Sequence, residues 1–258
     1  MSLRQDYALH ITRNIAAENL DLVVSAFCDI PRENFLPPPP WTVISSNGRF
    51  LSSSLSDIYS DNLVAILESD NINNGQPSLW AWVLCWSCIK INDTILHYGS
   101  GLGYYTAIMA KIVGINGAVY FSEINNLLLQ QCTKNLFSYN NCKNISCGQS
   151  FLYDFFIASF GMRYIKKDIF EKIKLNGFFI FPMTDKIGKG HFIKINKKLN
   201  SFIIEIGRPC YFITSFDYSN NDVSNSFNYP NISSGDRIEV EIPKNLNTAL
   251  DLFELIGK

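Results

Sequence analysis

Three glycines at alternate positions, Gly99, Gly101 and Gly103, close the run Thr94-Ile-Leu-His-Tyr-Gly-Ser-Gly-Leu-Gly-Tyr104. About twenty residues later a second apolar run, Ala118-Val-Tyr-Phe-Ser-Glu123, ends in a carboxylate. Glycines let a backbone approach a ligand closely, and an acid at the end of the next strand accepts from two ribose hydroxyls. Together they are the chemistry of a nucleoside pocket. The spacing argues against a dinucleotide. That fingerprint wants its third glycine five residues after its first, next to a pyrophosphate, and that position here is Tyr104.

Other reactive side chains group less clearly. Cys85 and Cys88 form a lone Cys-x-x-Cys inside Leu79-Trp-Ala-Trp-Val-Leu-Cys-Trp-Ser-Cys-Ile89, which reads as a buried helix. With no second pair and only three histidines (His10, His97, His191), packing explains them better than a metal site, and no metal is expected. Just before that helix, Gln76 and Ser78 offer polar groups beside Trp80.

These residues need a scaffold, and the pattern around them supplies one. Strands are expected at 94–98, 118–122, 144–147, 153–159 and 177–182, and helices at 103–113, 125–138 and about 163–174. His191 to Lys197 and Phe202 to Ser215 suggest a closing hairpin. The fold class is α/β: a Rossmann-like sheet, mostly parallel with an antiparallel edge hairpin, and helices on both faces. Upstream, the first thirty residues read as one or two helices, and Pro31-Arg-Glu-Asn-Phe-Leu-Pro37 as an extended crossing. A polar stretch then runs to about Ser56, Tyr59 to Leu67 looks like a strand, and Ser69 to Gly75 like a loop. Downstream, Asp217 to Gly235 reads as a flexible connection and Pro243 to Ile256 as a terminal amphipathic helix.

Composition narrows the function classes. The 258 residues carry a net charge of −1 with no basic run, which argues against nucleic acid as a partner. No apolar stretch reaches membrane-spanning length, and Met1-Ser-Leu-Arg-Gln-Asp6 does not read as a signal peptide. Seven scattered cysteines suit a reduced, cytoplasmic protein. Low charge with several aromatic surfaces leaves a homodimer open.

The tight glycine turn resembles the S-adenosylmethionine loop of class I methyltransferases. Several further segments, in order, resemble the protein-L-isoaspartate O-methyltransferase family. Ile30-Pro-Arg-Glu-Asn-Phe-Leu-Pro37 is similar to its Val-Pro-Arg-x-x-Phe-Val-Pro box, and Tyr59-Ser-Asp61 to the Tyr-x-Asp that follows. Gly75-Gln-Pro-Ser-Leu79 resembles a shortened Gly-Gln-Thr-Ile-Ser substrate loop. Tyr153-Asp154, Asn176-Gly177 and Cys210-Tyr-Phe-Ile-Thr214 match later boxes, so the likeness covers residues 20 to 215. It implies an S-adenosylmethionine-dependent carboxyl O-methyltransferase acting on a protein, peptide or small-molecule carboxylate. Residues 1–90 would form a helical and substrate-loop region packed on the core. Residues 91–216 would be the cofactor-binding core, and 217–258 an extension of loop plus helix.

The resemblance also implies roles. Gly99, Ser100, Gly101, Gly103 and Tyr104 would line the cofactor, and Glu123 would take the ribose. His97 and Gln149 would also touch the cofactor, but both depart from the family, which has an acid at each place. Ser78 would orient the acceptor carboxylate by donating a hydrogen bond, or else open the Trp-rich helix as its N-cap. Gln76 and Trp80 would bind substrate, Trp80 and Tyr104 by cation–π contact unless they are core. Arg32 would clamp a peptide carboxylate or form a structural salt bridge, and Asp154 would be structural. The two missing acids keep a second class open, a methyltransferase-fold protein that acts as a binding or adaptor module. A NAD-dependent oxidoreductase is disfavoured by the glycine spacing.

Overall fold

The computed structural model describes residues 2–67, 69, 71–145, 151–213, 232–241 and 249–251. The chain divides into two compact units, Met1–Asp93 with Ser100–Ile145, and Thr94–Gly99 with Ser146–Lys258.

The first unit opens with α1 (Leu3–Thr12), capped where Ser2 accepts from the Gln5 amide, and α2 (Leu20–Asp29). Their apolar stripes bury Tyr7, Ala8 and Ile11 on one and Val23, Ala26 and Phe27 on the other. The proline-bounded segment is not simply extended: Arg32–Phe35 wind one 3-10 turn between Pro31 and Leu36. The polar stretch after it is a hairpin, β1 (Trp41–Ser45) and β2 (Gly48–Ser52), paired antiparallel from Trp41–Ser52 to Ser45–Gly48. Gly48 sits at φ +115, which suits the close of a two-residue turn after Asn47. After α3 (Leu55–Ile58), β3 (Leu63–Leu67) and the two-residue β4 (Ile72–Asn73) complete a sheet of order β2-β1-β3-β4. The expected 69–75 loop therefore contains a short strand.

The Trp-rich helix is α4 (Pro77–Ser87), with Pro77 in its first turn and Cys88 stopping it in the left-handed region at φ 58. The unit also holds α5 (Tyr104–Val113), α6 (Asn126–Asn135) and the parallel pair β6 (Ala118–Ser122) and β7 (Cys142–Asn144). Nearly every side chain of α5 is buried, as expected of a helix apolar all round.

The second unit is a sheet of order β13-β12-β11-β10-β8-β5. Its members are β5 (Thr94–Tyr98), β8 (Tyr153–Ala158), β10 (Ile173–Thr184), β11 (Lys189–Lys197), β12 (Ser201–Tyr211) and β13 (Arg237–Glu241). β5, β8 and β10 run parallel; β10 to β13 are antiparallel neighbours, so the expected edge hairpin is there. Continuous apolar runs mark the parallel strands, and Phe156, Ile157, Phe179, Ile180 and Phe181 are fully buried.

Two expected helices fail in this unit. In place of a helix over 163–174 stand β9 (Tyr164–Lys166), a five-residue α7 (Lys167–Glu171) and the start of β10. In place of a helix over 243–256, Ala249–Asp251 form β14. The two corrections share one cause: β14 pairs antiparallel with β9, Ala249 opposite Lys166 and Asp251 opposite Tyr164. Long-range pairing overrides local helix preference. The rest of the 243–256 segment, and Asp217 to Asn231, lie outside the described residues.

Candidate active site

The glycine loop is held mainly by its own backbone. In the first unit Ser100 N–H donates to Ser122 O at 3.2 Å, and Gly103 N–H to Ser100 O at 2.9 Å. Gly103 sits at φ +96 as the residue before α5, and a Cβ there would lie 3.1 Å from both Cys132 Sγ and Leu136 Cγ. Asn135 Nδ2 donates to Leu102 O at 2.9 Å and secures the turn from α6. Ser100 is buried, its Oγ accepting from the Cys132 thiol at 3.4 Å, and burial pushes that thiol up to about 12.

Glu123 follows β6 and closes on this loop. Its Oε2 accepts from Gly101 N–H at 2.8 Å and its Oε1 from Asn125 N–H at 3.1 Å. A carboxylate has about four acceptor positions, so two remain for further donors such as a vicinal diol. Gly101 takes φ +55, which turns its amide toward the acid. Loop and acid thus fit the ribose end of a nucleoside. Tyr104, just beyond, is only 3% exposed and packs against Phe27, Phe35 and Tyr105 with centroids 6.2, 5.9 and 5.1 Å away. Burial raises its hydroxyl well above the usual phenol range. Its place is in the aromatic core.

The second cluster centres on Asp61, which sequence reasoning noted in a motif but did not put in the site. Its Oδ1 accepts from Ser78 N–H at 2.7 Å, and its Oδ2 from Ser78 Oγ–H at 2.7 Å and Gln76 Nε2 at 2.8 Å. Asp61 therefore caps α4 from outside the helix, where Gln76 and Pro77 supply no side-chain cap. Ser78 is not the N-cap; its hydroxyl proton is committed to Asp61. Trp80 is 1% exposed and stacks on Tyr105 at 4.7 Å, and a Cβ at Gly75 would lie 2.6 Å from its Nε1. The indole thus walls the Gly75 turn rather than presenting a free face. Tyr105 hydroxyl ties the same turn by donating to Gly75 O at 3.1 Å.

Arg32 does neither of the things its position suggested. It is fully buried and meets no carboxylate among the described residues. Nη1 donates to Ile58 O and, at 3.2 Å, to Ser60 O; Nη2 donates to Asn62 O at 2.9 Å and Asn74 Oδ1 at 3.1 Å. Nearby, Tyr59 hydroxyl accepts from the Arg32 amide at 3.0 Å and donates to Glu33.

In the second unit, His97 is 1% exposed on β5, opposite Ile157, with Nε2 2.8 Å from Ser159 Oγ. Burial lowers its imidazole to about 3, so it is neutral at physiological pH and carries no charge that would replace an acid. Gly99 takes φ +76, with Phe160 Cδ1 2.8 Å from where its Cβ would be. Asp154 is structural as expected: it accepts from Thr94 N–H and from Lys174 Nζ, each at 2.9 Å. Gln149 lies outside the described residues. Among the described residues no three His, Cys, Asp or Glu side chains gather as a metal site, and no helix is long and apolar enough to cross a membrane.

Comparison with known proteins bears on the family and the fold. A Thermotoga maritima protein-L-isoaspartate O-methyltransferase is 25% identical over 196 residues, covering 71% of this chain and 57% of the relative. The chain thus spans little more than half of that relative's length. An Ignicoccus hospitalis protein-L-isoaspartate O-methyltransferase is 24% identical over 215 residues, 79% of this chain and 94% of its own. Among solved structures, a protein-L-isoaspartate O-methyltransferase superposes with TM-score 0.69 at 22% identity, over 82% of this chain and 65% of that one. A Plasmodium falciparum structure described as the same kind of enzyme, in complex with S-adenosyl-L-homocysteine, gives 0.63 at 17%, over 83% and 98%. These two likenesses are of fold. The family model for protein-L-isoaspartate(D-aspartate) O-methyltransferase matches residues 6–220, most of the 258, and the chain belongs to that family.

Proposed function

We propose that this protein is an S-adenosylmethionine-dependent carboxyl O-methyltransferase acting on isoaspartyl residues of proteins or peptides. The observation that carries the proposal is the grip of the Gly101 amide on Glu123, which leaves two acceptor positions of the carboxylate for a ribose diol. Family membership supplies the reaction class, and it does not favour the adaptor alternative. When bound, S-adenosylmethionine supplies an electrophilic methyl group. The chain's residues have then to hold the nucleoside and align the acceptor, and orientation alone can be worth roughly 7–11 kcal/mol.

The acceptor is a carboxylate, ionised at neutral pH with an ordinary value near about 4, so no general base is required. Ser78 and Gln76 are the proposed acceptor contacts. Since both now donate to Asp61, a carboxylate that engages Ser78 Oγ has to draw the hydroxyl away from that partner. Seven cysteines, odd in number and scattered along the chain, support a reducing, cytoplasmic setting.

The test is transfer to a matched pair of peptides, one isoaspartyl and one aspartyl, with mass-spectrometric detection of a base-labile methyl ester. Ester on the isoaspartyl peptide supports the proposal. Ester on neither peptide, or equally on both, overturns the assigned acceptor.

A further inference from the structure

Arg32 is the least expected group in the first unit: a completely buried guanidinium whose partners are all uncharged. A buried charge is costly unless its donors are used; here each Nη atom donates twice, while Nε has no partner among the described residues. The partners fall in two places along the chain. Ile58, Ser60 and Asn62 offer carbonyls from the segment on either side of Asp61, and Asn74 offers its side-chain oxygen from the residue before Gly75. Asn74 Oδ1 accepts at once from Arg32 and from Val64 N–H at 2.9 Å, so the link passes into β3 as well. Asp61 in turn accepts from Gln76 and Ser78. One guanidinium therefore fixes both ends of the Asp61-to-Ser78 arrangement without touching either residue.

We propose that Arg32 is a positioning residue for the acceptor, setting the separation of Asp61 from the Gly75–Ser78 turn. The inference rests on the methyltransferase reading above. Lysine cannot replace it: a single ammonium nitrogen cannot serve two carbonyls on one side and a carbonyl and an amide oxygen on the other, as the two Nη atoms do. The glycine loop and Glu123 are held by other bonds and do not depend on it.

The test compares wild type, Arg32→Lys and Asn74→Ala by steady-state transfer to an isoaspartyl peptide and by calorimetric binding of S-adenosylhomocysteine, with circular dichroism to fix the folded fraction. The expected result is a KM for peptide raised about tenfold or more in both variants, with S-adenosylhomocysteine affinity within about twofold of wild type. If KM is unchanged, or if peptide KM and cofactor affinity worsen together, Arg32 is only structural and the proposal fails. Where Arg32→Lys does not fold, Asn74→Ala decides alone, since it removes the tie to the turn but keeps the guanidinium on its three carbonyls. Wild type that binds S-adenosylhomocysteine but esterifies no isoaspartyl peptide overturns the acceptor assignment itself, and Arg32's role with it.

Discussion

The glycine loop and the contacts joining Asp61 to Gln76 and Ser78 lie in one unit, but the two segments are held in opposite ways. The loop is fixed by what its residues lack: glycines at φ +55 and +96 reach conformations closed to most side chains, and short backbone bonds lock the result. The other segment is fixed by what distant residues bring, with Arg32 bonding across 26 to 42 positions and Asp61 across 15 to 17. A backbone-built site keeps its shape when a side chain changes. One built by buried side chains is sensitive to single substitutions far from the chemistry.

The strand that leads into the glycine loop gives the largest expected effect. His97 is neutral in the fold, lowered by burial from its ordinary 6.5 to about 3. The unfolded chain therefore binds the extra proton throughout that interval. Stability from this group is complete above pH 6.5 and declines as pH falls toward 3, by roughly 4–5 kcal/mol over the whole range. Urea denaturation at stepped pH should show that slope, and His97→Gln should flatten it.

Next, Arg32→Met should leave the Ile58, Ser60 and Asn62 carbonyls, the first buried and the other two half-buried, without the guanidinium's donors and cost about 3–4 kcal/mol in the same denaturation assay. A loss below about 1 kcal/mol would erase the contrast between the two regions. Gly75→Val tests the one point where the second segment relies on glycine: φ is +74 and the rigid Trp80 indole fills the side-chain space. It should cost about 2–3 kcal/mol. Smaller still is Ser78→Ala, about 1 kcal/mol in stability for a half-buried bond to Asp61. Its transfer rate sharpens the comparison further. A fall in kcat with S-adenosylhomocysteine binding intact would place Ser78 at the acceptor, whereas unchanged kcat would leave it a capping partner of Asp61.

The same division explains what was legible in the sequence. β5, α5, β6 and the hairpin β11–β12 follow from local period and glycine placement, and so does the pairing of loop with Glu123. Arg32 and Asp61 were visible as motif residues, but their partners were not: nothing local tells Arg32 to choose carbonyls over a carboxylate. Glu33 beside it in the sequence pointed instead to a salt bridge, which the fold does not make. The β9–β14 pair was illegible for the same reason, since a strand of three residues carries no period of its own. Asn47-Gly48 was a readable signal for the β1–β2 hairpin, hidden by the polarity of its surroundings.

The most direct test of the central claim is calorimetric titration of wild type and Glu123→Ala with S-adenosylmethionine and S-adenosylhomocysteine. Losing charge-assisted bonds to a ribose, at about 1.5–3 kcal/mol each, predicts saturable binding in the wild type and at least tenfold weaker binding in the folded variant. Binding that is absent at millimolar ligand, or equal in both proteins, would contradict a methyltransferase built on this loop and its acid.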